Sequence, residues 1–105
     1  MLTKDQIINI NETISLAKMD CTIGKTSNLE ETMRLFGEAE TDMEEQFDVK
    51  LIAELRDHIN LAFAEVLSSN PVIAVKELSD IQKMLNKMLE SFKEDKSQQS
   101  NDEED

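Results

Sequence analysis

The sequence is poor in the residues that form tight turns, covalent cross-links and aromatic clusters. In 105 residues it contains two glycines, one proline, one cysteine, no tryptophan and no tyrosine. A single cysteine excludes an intramolecular disulfide, and one cysteine with one histidine argues against a Cys/His zinc site. So few turn-forming residues predict a small number of long elements joined by short connections.

Long apolar runs are also missing. No stretch approaches the roughly 18 consecutive apolar residues of a membrane span, and no signal-peptide pattern is visible. We therefore expect no membrane association and a cytoplasmic location. The periodic segments are rich in Ala, Leu, Glu, Lys, Met and Gln, which favour helix over strand. No segment alternates apolar and polar residues with a period of two.

The apolar periodicity predicts an all-α protein with four helices. Thr3 and Gln6 form a capping box before the first helix, Asp48 is placed to cap the third, and Pro71 suits a first helical position. We expect one domain over residues 1–93, built as a small four-helix bundle or a pair of helical hairpins. The predicted helices span residues 4–19, 28–46, 48–67 and 71–92.

The ends and faces of these helices predict how the chain is arranged. An unbroken helix from 28 to 67 would be about 60 Å long, too long for a compact domain, so we predict a break near Gln46–Val49. The fourth helix has an apolar arc wider than half a turn, which predicts a homodimer or higher oligomer. Residues 94–105 are all polar or charged, which predicts a disordered acidic tail.

The net charge of −12 is concentrated in one segment. Residues 29–48 carry eight acids and one base, Arg34, and so contribute −7. Nucleic acid and anionic membranes should repel such a chain, whereas a basic surface on another protein should attract it. Solubility alone is the alternative explanation. Four of the acids fall within an arc of about 60° on the second helix: Glu31, Glu38, Asp42 and Glu45.

We interpret the chain as a non-enzymatic small acidic adaptor or inhibitor that binds another protein through a basic surface. Leu29, Met33 and Phe36 share the apolar arc of the second helix, and we expect them to be exposed and to anchor the partner. A sharper form is a nucleic-acid mimic, whose carboxylates occupy a nucleic-acid site on the partner. A structural helical oligomer is a further alternative. Neither the adaptor nor the oligomer needs a cofactor.

Two acid pairs give an enzymatic alternative. Glu54 and Asp57, and then Glu77 and Asp80, are each three residues apart, so each pair projects from one helix face. On adjacent antiparallel helices, four carboxylates could hold Mg²⁺, which then grips a triphosphate. The pattern resembles the ExxE–ExxD motif of the all-α nucleoside triphosphate pyrophosphatases. That resemblance implies all four acids as Mg²⁺ ligands, although Ala53 stands where the motif has a further acid.

Three shorter patterns are weaker. The Gly24–Thr26 segment lacks the upstream glycine and the preceding strand of a phosphate loop. The twelve residues Asp20–Glu31 have the spacing of a calcium loop, but Lys25 stands where that loop needs glycine. Cys21 and His58 have no spacing that favours a nucleophile–base pair. An ordinary helix connection, a half-buried cysteine and a surface histidine explain these residues.

Overall fold

Four helices joined by short loops make up the described chain. In the computed structural model the backbone is described for residues 1–104 and the side chains for residues 1–92. No strand occurs in residues 1–104, so the predicted all-α class is confirmed. The predicted disordered acidic tail, residues 94–105, lies outside the residues whose side chains are described. The helices are α1 (Lys4–Cys21), α2 (Ser27–Gln46), α3 (Val49–Leu67) and α4 (Pro71–Glu104).

The helices pack as a four-helix bundle rather than as two separate hairpins. Each helix packs against the next one along the chain, and α1 also packs against α4, which closes the ring. Because the connections are two to five residues long, consecutive helices run antiparallel. Among the described residues, none of the four helices combines the length and the apolarity needed to cross a bilayer.

Side chains near the helix ends supply the caps that the backbone needs. At α1, Thr3 Oγ1 accepts from the Gln6 backbone N–H at 3.2 Å, and Gln6 Oε1 accepts from the Thr3 N–H at 2.8 Å. This capping box satisfies two backbone donors at the helix start. The Asp48 carboxylate caps the start of α3, two residues after the end of α2, by accepting from the Lys50 N–H at 2.9 Å. Pro71 is the first residue of α4, where its missing N–H costs nothing.

The first connection is held by Asp20, near the end of α1. Its Oδ2 atom accepts from the Asn28 backbone N–H at 3.2 Å and from Asn28 Nδ2 at 2.8 Å. A carboxylate at the start of α2 also lies favourably against the positive end of that helix. Because Asp20 belongs to α1, this contact fixes the end of α1 against the start of α2. The segment with calcium-loop spacing is thus a helix connection whose leading acid is already hydrogen-bonded.

The core is one column of apolar side chains between the helices. Each helix contributes residues spaced three or four apart, the spacing that places them on one face. Leu2 precedes α1 and is also buried. The buried residues of α1, α2 and α3 are Ile7, Ile10, Thr13, Ile14, Ala17, Cys21, Leu29, Thr32, Phe36, Ala39, Met43, Ile52, Leu55, Ile59, Ala62 and Val66.

The wide apolar arc of α4 is covered within one chain. Two helices, α1 and α3, pack against α4, so the arc has two neighbours. The expectation of an oligomer assumed one covering helix, and the arc therefore no longer requires a second copy. On the described part of α4, Val72 and Ile73 stay open, at 81% and 49% exposed. The buried residues of α4 are Ala74, Leu78, Ile81, Leu85 and Met88.

A polar seam runs along the contact between α1 and α4. Lys18 Nζ donates to Gln82 Oε1 at 3.0 Å, and Gln82 Nε2 donates to Ser15 Oγ at 2.8 Å. Further along, Asn11 Nδ2 donates to Asn86 Oδ1 at 3.0 Å. Hydrogen bonds are directional, so they fix the register of two helices that apolar packing alone would allow to slide.

The two glycines allow a paired test of backbone conformation. An added Cβ would meet no atom within 4 Å at either glycine, but Gly24 has a φ of +72°. Gly37 is inside α2, so Gly37→Ala should raise the free energy of unfolding by about 0.5–1 kcal/mol. Gly24→Ala should lower it by about 1–2 kcal/mol, because a side chain disfavours that backbone region. Urea unfolding measures both signs, and changes of the same sign would contradict this account.

Candidate functional site

The acidic face of α2, formed by Glu31, Glu38, Asp42 and Glu45, is the first candidate. Arg34 lies beside it and donates to Glu31 through Nε and Nη2, at 2.8 and 2.6 Å. Its Nη1 atom donates to Glu38 at 2.7 Å. The N-terminal ammonium is 3.6 Å from Asp42. Glu45 is exposed and forms no salt bridge with the described residues.

Arg34 holds two carboxylates of this face in fixed positions. Its hydrogen bonds hold the pKa of the Glu31 carboxyl below its usual range, and they raise the pKa of Arg34 itself. Because these groups are at the surface, solvent screens the ion pairs and they add little to stability. Their main effect is geometric, since they restrict the positions of the Glu31 and Glu38 side chains.

A second arginine, from α3, pairs with the opposite flank of α2. Arg56 donates to Glu40 through Nε at 2.8 Å and also through Nη2, and Nη2 lies 3.9 Å from Glu44. Its pKa is raised, first by the hydrogen bonds to Glu40. Four of the eight acids of residues 29–48 therefore pair with Arg34 or Arg56, and this segment stays strongly negative.

Two of the three predicted apolar anchors are not exposed. Leu29 is 0% exposed and Phe36 is 4% exposed, because both lie on the stripe of α2 that packs into the core. The prediction that they are exposed is therefore wrong. Met33 is 37% exposed and lines a groove between α2 and α3 with Arg56 and Ile59. It thus lies on the α3 flank of α2.

The predicted set of four carboxylates is not assembled. Glu77 and Asp80 lie together on α4, but the group beside them is His58 of α3. Ligand atoms of these three residues lie within 4.8 Å of one another. Glu54 and Asp57 are exposed and do not join this cluster. At 100° per residue, His58 falls on the flank of α3 toward α4, whereas Glu54 and Asp57 project away from the core.

His58 is the residue that the sequence interpretation missed. Its Nδ1 atom is 3.1 Å from Glu77 Oε2, and the two side chains are 29% and 15% exposed. Asp80 Oδ2 lies 3.5 Å from Lys76 Nζ. The sequence contained a usable signal, because His58 is next to Asp57 and lies closer to the apolar stripe of α3. On an antiparallel pair of helices, that position faces the neighbouring helix.

An exposed apolar patch at one end of the bundle was also missed. Met19, Ile23 and Val72, called the end patch below, are 69%, 66% and 81% exposed. Thr22 and Val75 line grooves beside these residues. In the sequence these residues are far apart: Met19 is near the end of α1, Ile23 is in the loop that follows, and Val72 is at the start of α4. Only the bundle brings the end of α1 beside the start of α4.

Cys21 has the environment of a core residue. It is 1% exposed, and burial, with a smaller contribution from Asp20, raises the pKa of its thiol. Nucleophilic attack and metal binding both need the thiolate, which this environment disfavours. Cys21 is therefore not a candidate nucleophile.

Comparison with protein-family models, curated proteins and solved structures finds no match for this chain. The candidate sites therefore depend on the geometry of the chain's own residues.

The corrected positions of the apolar residues of α2 can be tested by truncation. Leu29→Ala should lower the free energy of unfolding by about 2–5 kcal/mol, because it leaves a cavity in the core. Met33→Ala should cost less than about 1 kcal/mol, since Met33 is partly solvated. Denaturant unfolding measures both variants. Equal losses would place Leu29 and Met33 in similar environments and contradict the assignment.

The burial of Cys21 predicts that its thiol reacts slowly in the folded protein and makes the stability depend on pH. At pH 7.5 the folded protein should react with a thiol reagent much more slowly than the protein in denaturant does. The raised folded pKa means that stability is unaffected below the unfolded pKa of about 8.5 and falls as the pH rises above it. Unfolding from pH 7 to 10 measures this effect, with Cys21→Ala as the control that removes the thiol. Fast labelling of folded protein would disprove the burial.

Proposed function

We propose that this protein is a small non-enzymatic adaptor or inhibitor that binds a basic surface of another protein through the acidic face of α2. The charge of this helix segment is the main support. Residues 29–48 contain eight acids, and Arg34 and Arg56 pair with four of them. Eight acids less two arginines leave six negative charges. We also propose that binding is to protein rather than to nucleic acid or membrane, since like charges repel.

The density of charge supports the sharper form, a nucleic-acid mimic. With 20 residues, α2 is about 30 Å long. Asp48 lies outside α2, so seven of the eight acids belong to the helix, and less the two arginines they leave five net charges. Over that length this is one charge per about 6 Å, compared with about 3.4 Å per phosphate along one DNA strand. A basic site that binds a row of phosphates would therefore meet a similar but weaker field from α2.

The exposure of the apolar residues determines what kind of interaction this face supports. Leu29 and Phe36 are buried, and Met33 lies on the flank toward α3. The acidic face thus offers charge and few apolar contacts, so binding through it is mainly electrostatic. Such binding is fast to form and weakens steeply as salt rises. We also propose that the protein acts in the cytoplasm.

A homodimer or higher oligomer is a second candidate, and the end patch is the observation in its favour. Three exposed apolar side chains at one end of the bundle are a surface that a second copy would cover. Light scattering at micromolar concentration decides this point, and a strict monomer would exclude the oligomer. The magnesium-dependent pyrophosphatase alternative gains no support, because Glu54 and Asp57 do not lie with Glu77 and Asp80.

Two variants with the same change in charge test the adaptor proposal. One variant neutralises the acidic face with Glu31→Gln, Glu38→Gln, Asp42→Asn and Glu45→Gln. The other neutralises four exposed acids on the other three helices, with Glu12→Gln, Glu54→Gln, Asp57→Asn and Glu90→Gln. Each immobilised protein captures partners from a cell extract, and the partners are eluted in steps of salt and quantified by mass spectrometry.

We expect the wild type and the second variant to capture the same basic proteins, and the first variant to lose them by about tenfold or more. Unchanged capture by the first variant would disprove the role of this face, and equal loss in both variants would assign binding to net charge alone. Duplex DNA added to the captured complex separates the two forms of the proposal. It should displace the partner of a nucleic-acid mimic and leave the partner of a simple adaptor bound.

A further inference from the structure

An imidazole and two carboxylates from two helices converge at the contact between α3 and α4. His58 Nδ1 and Glu77 Oε2 are 3.1 Å apart, and one ligand atom of Asp80 lies within 4.8 Å of both residues' ligand atoms. Glu77 and Asp80 are three residues apart on α4, whereas His58 comes from α3. The side chains of His58, Glu77 and Asp80 are 29%, 15% and 31% exposed. The cluster is therefore held by packing and is still accessible to an ion.

We propose that His58, Glu77 and Asp80 bind a divalent transition-metal ion, with Zn²⁺ as the ion that fits best. Tetrahedral ligands about 2.1 Å from Zn²⁺ lie about 3.4 Å from one another. The separation of His58 and Glu77 is already close to this value. Asp80 has to approach by at most about 1.5 Å, a shift within the range of a change in side-chain torsion. Water completes the coordination on the solvent side.

The donor set determines the class of ion. One imidazole nitrogen with two carboxylates suits Zn²⁺ and its neighbours, whereas Mg²⁺ and Ca²⁺ prefer oxygen ligands alone. Two carboxylates also balance the charge of a divalent ion, which favours binding at a partly buried position. Since the ligands come from two helices, the ion would join α3 to α4 and stabilise the folded chain. This site is separate from the acidic face of α2 and does not depend on the proposed function.

The ammonium of Lys76 competes with the ion for the negative charge of Asp80. This ammonium lies 3.5 Å from Asp80, and the Lys76 side chain is 73% exposed. Without an ion, Lys76 supplies positive charge to Asp80. An ion bound to Asp80 would be repelled by this ammonium. Removing the lysine charge should therefore tighten ion binding. A cluster that serves only as a structural ion pair makes no such prediction.

Titration of the purified full chain with Zn²⁺, followed by calorimetry and thermal unfolding, tests the site. We expect one ion per chain and a rise in Tm of about 5 °C or more when free Zn²⁺ exceeds its Kd tenfold. Asp80→Asn and His58→Gln should each weaken binding by about tenfold to 100-fold, and Lys76→Gln should tighten it severalfold. The paired control, Glu54→Gln with Asp57→Asn, should bind Zn²⁺ as the wild type does.

The outcomes separate this site from weak binding to the many surface acids. Equal Zn²⁺ affinity in the wild type, Asp80→Asn and His58→Gln would assign the ion to other carboxylates and overturn the proposal. No heat and no Tm shift at about 100 μM Zn²⁺ would also overturn it. Asp80 is 31% exposed, so its variant keeps the test informative even if a His58 variant unfolds. Mg²⁺ at the same concentration should cause no shift beyond that of matched ionic strength.

Discussion

The contact between α1 and α4 closes the bundle, and the rest of the structure depends on it. The apolar arc of α4 is too wide for α3 alone, and α1 covers the part that α3 leaves open. These two helices are far apart in the sequence, so their contact closes a long stretch of chain and carries a loop-closure entropy cost. The polar seam from Lys18 and Gln82 to Asn11 and Asn86 then sets their register. Apolar area supplies the attraction here, and hydrogen bonds supply the alignment.

The position of each side chain around α3 determines which neighbour it meets. Arg56 and His58 are only two residues apart, which places them about 200° apart around the helix. Arg56 consequently reaches Glu40 on α2, and His58 reaches Glu77 on α4. The core stripe lies between these two flanks. One flank of α3 therefore contacts the Glu40 side of α2, and the other flank supplies His58 to the candidate metal cluster.

The sequence predicts those features that belong to a single helix. Ile52 and Ile59 of α3 are seven residues apart, a spacing that places them on one helix face, and both are buried. Leu29 and Phe36 were on an equally clear stripe, but a stripe shows which side is apolar and does not show what covers it. The number of neighbours around α4 is likewise a property of the assembled bundle. His58 could not be paired with Glu77 from the sequence, because that pairing depends on the rotation of α3 against α4.

The acids of α2 are not needed to hold the bundle together. Neighbouring like charges such as Glu38 with Asp42, four residues apart, destabilise a helix by a few tenths of a kcal/mol per pair. Arg34 and Arg56 offset part of this cost, but surface ion pairs contribute little in return. Solubility could be obtained with the same charge spread over all four helices. Instead, residues 29–48 carry a net −7 of the chain's −12, which is the arrangement expected if this helix meets a basic partner.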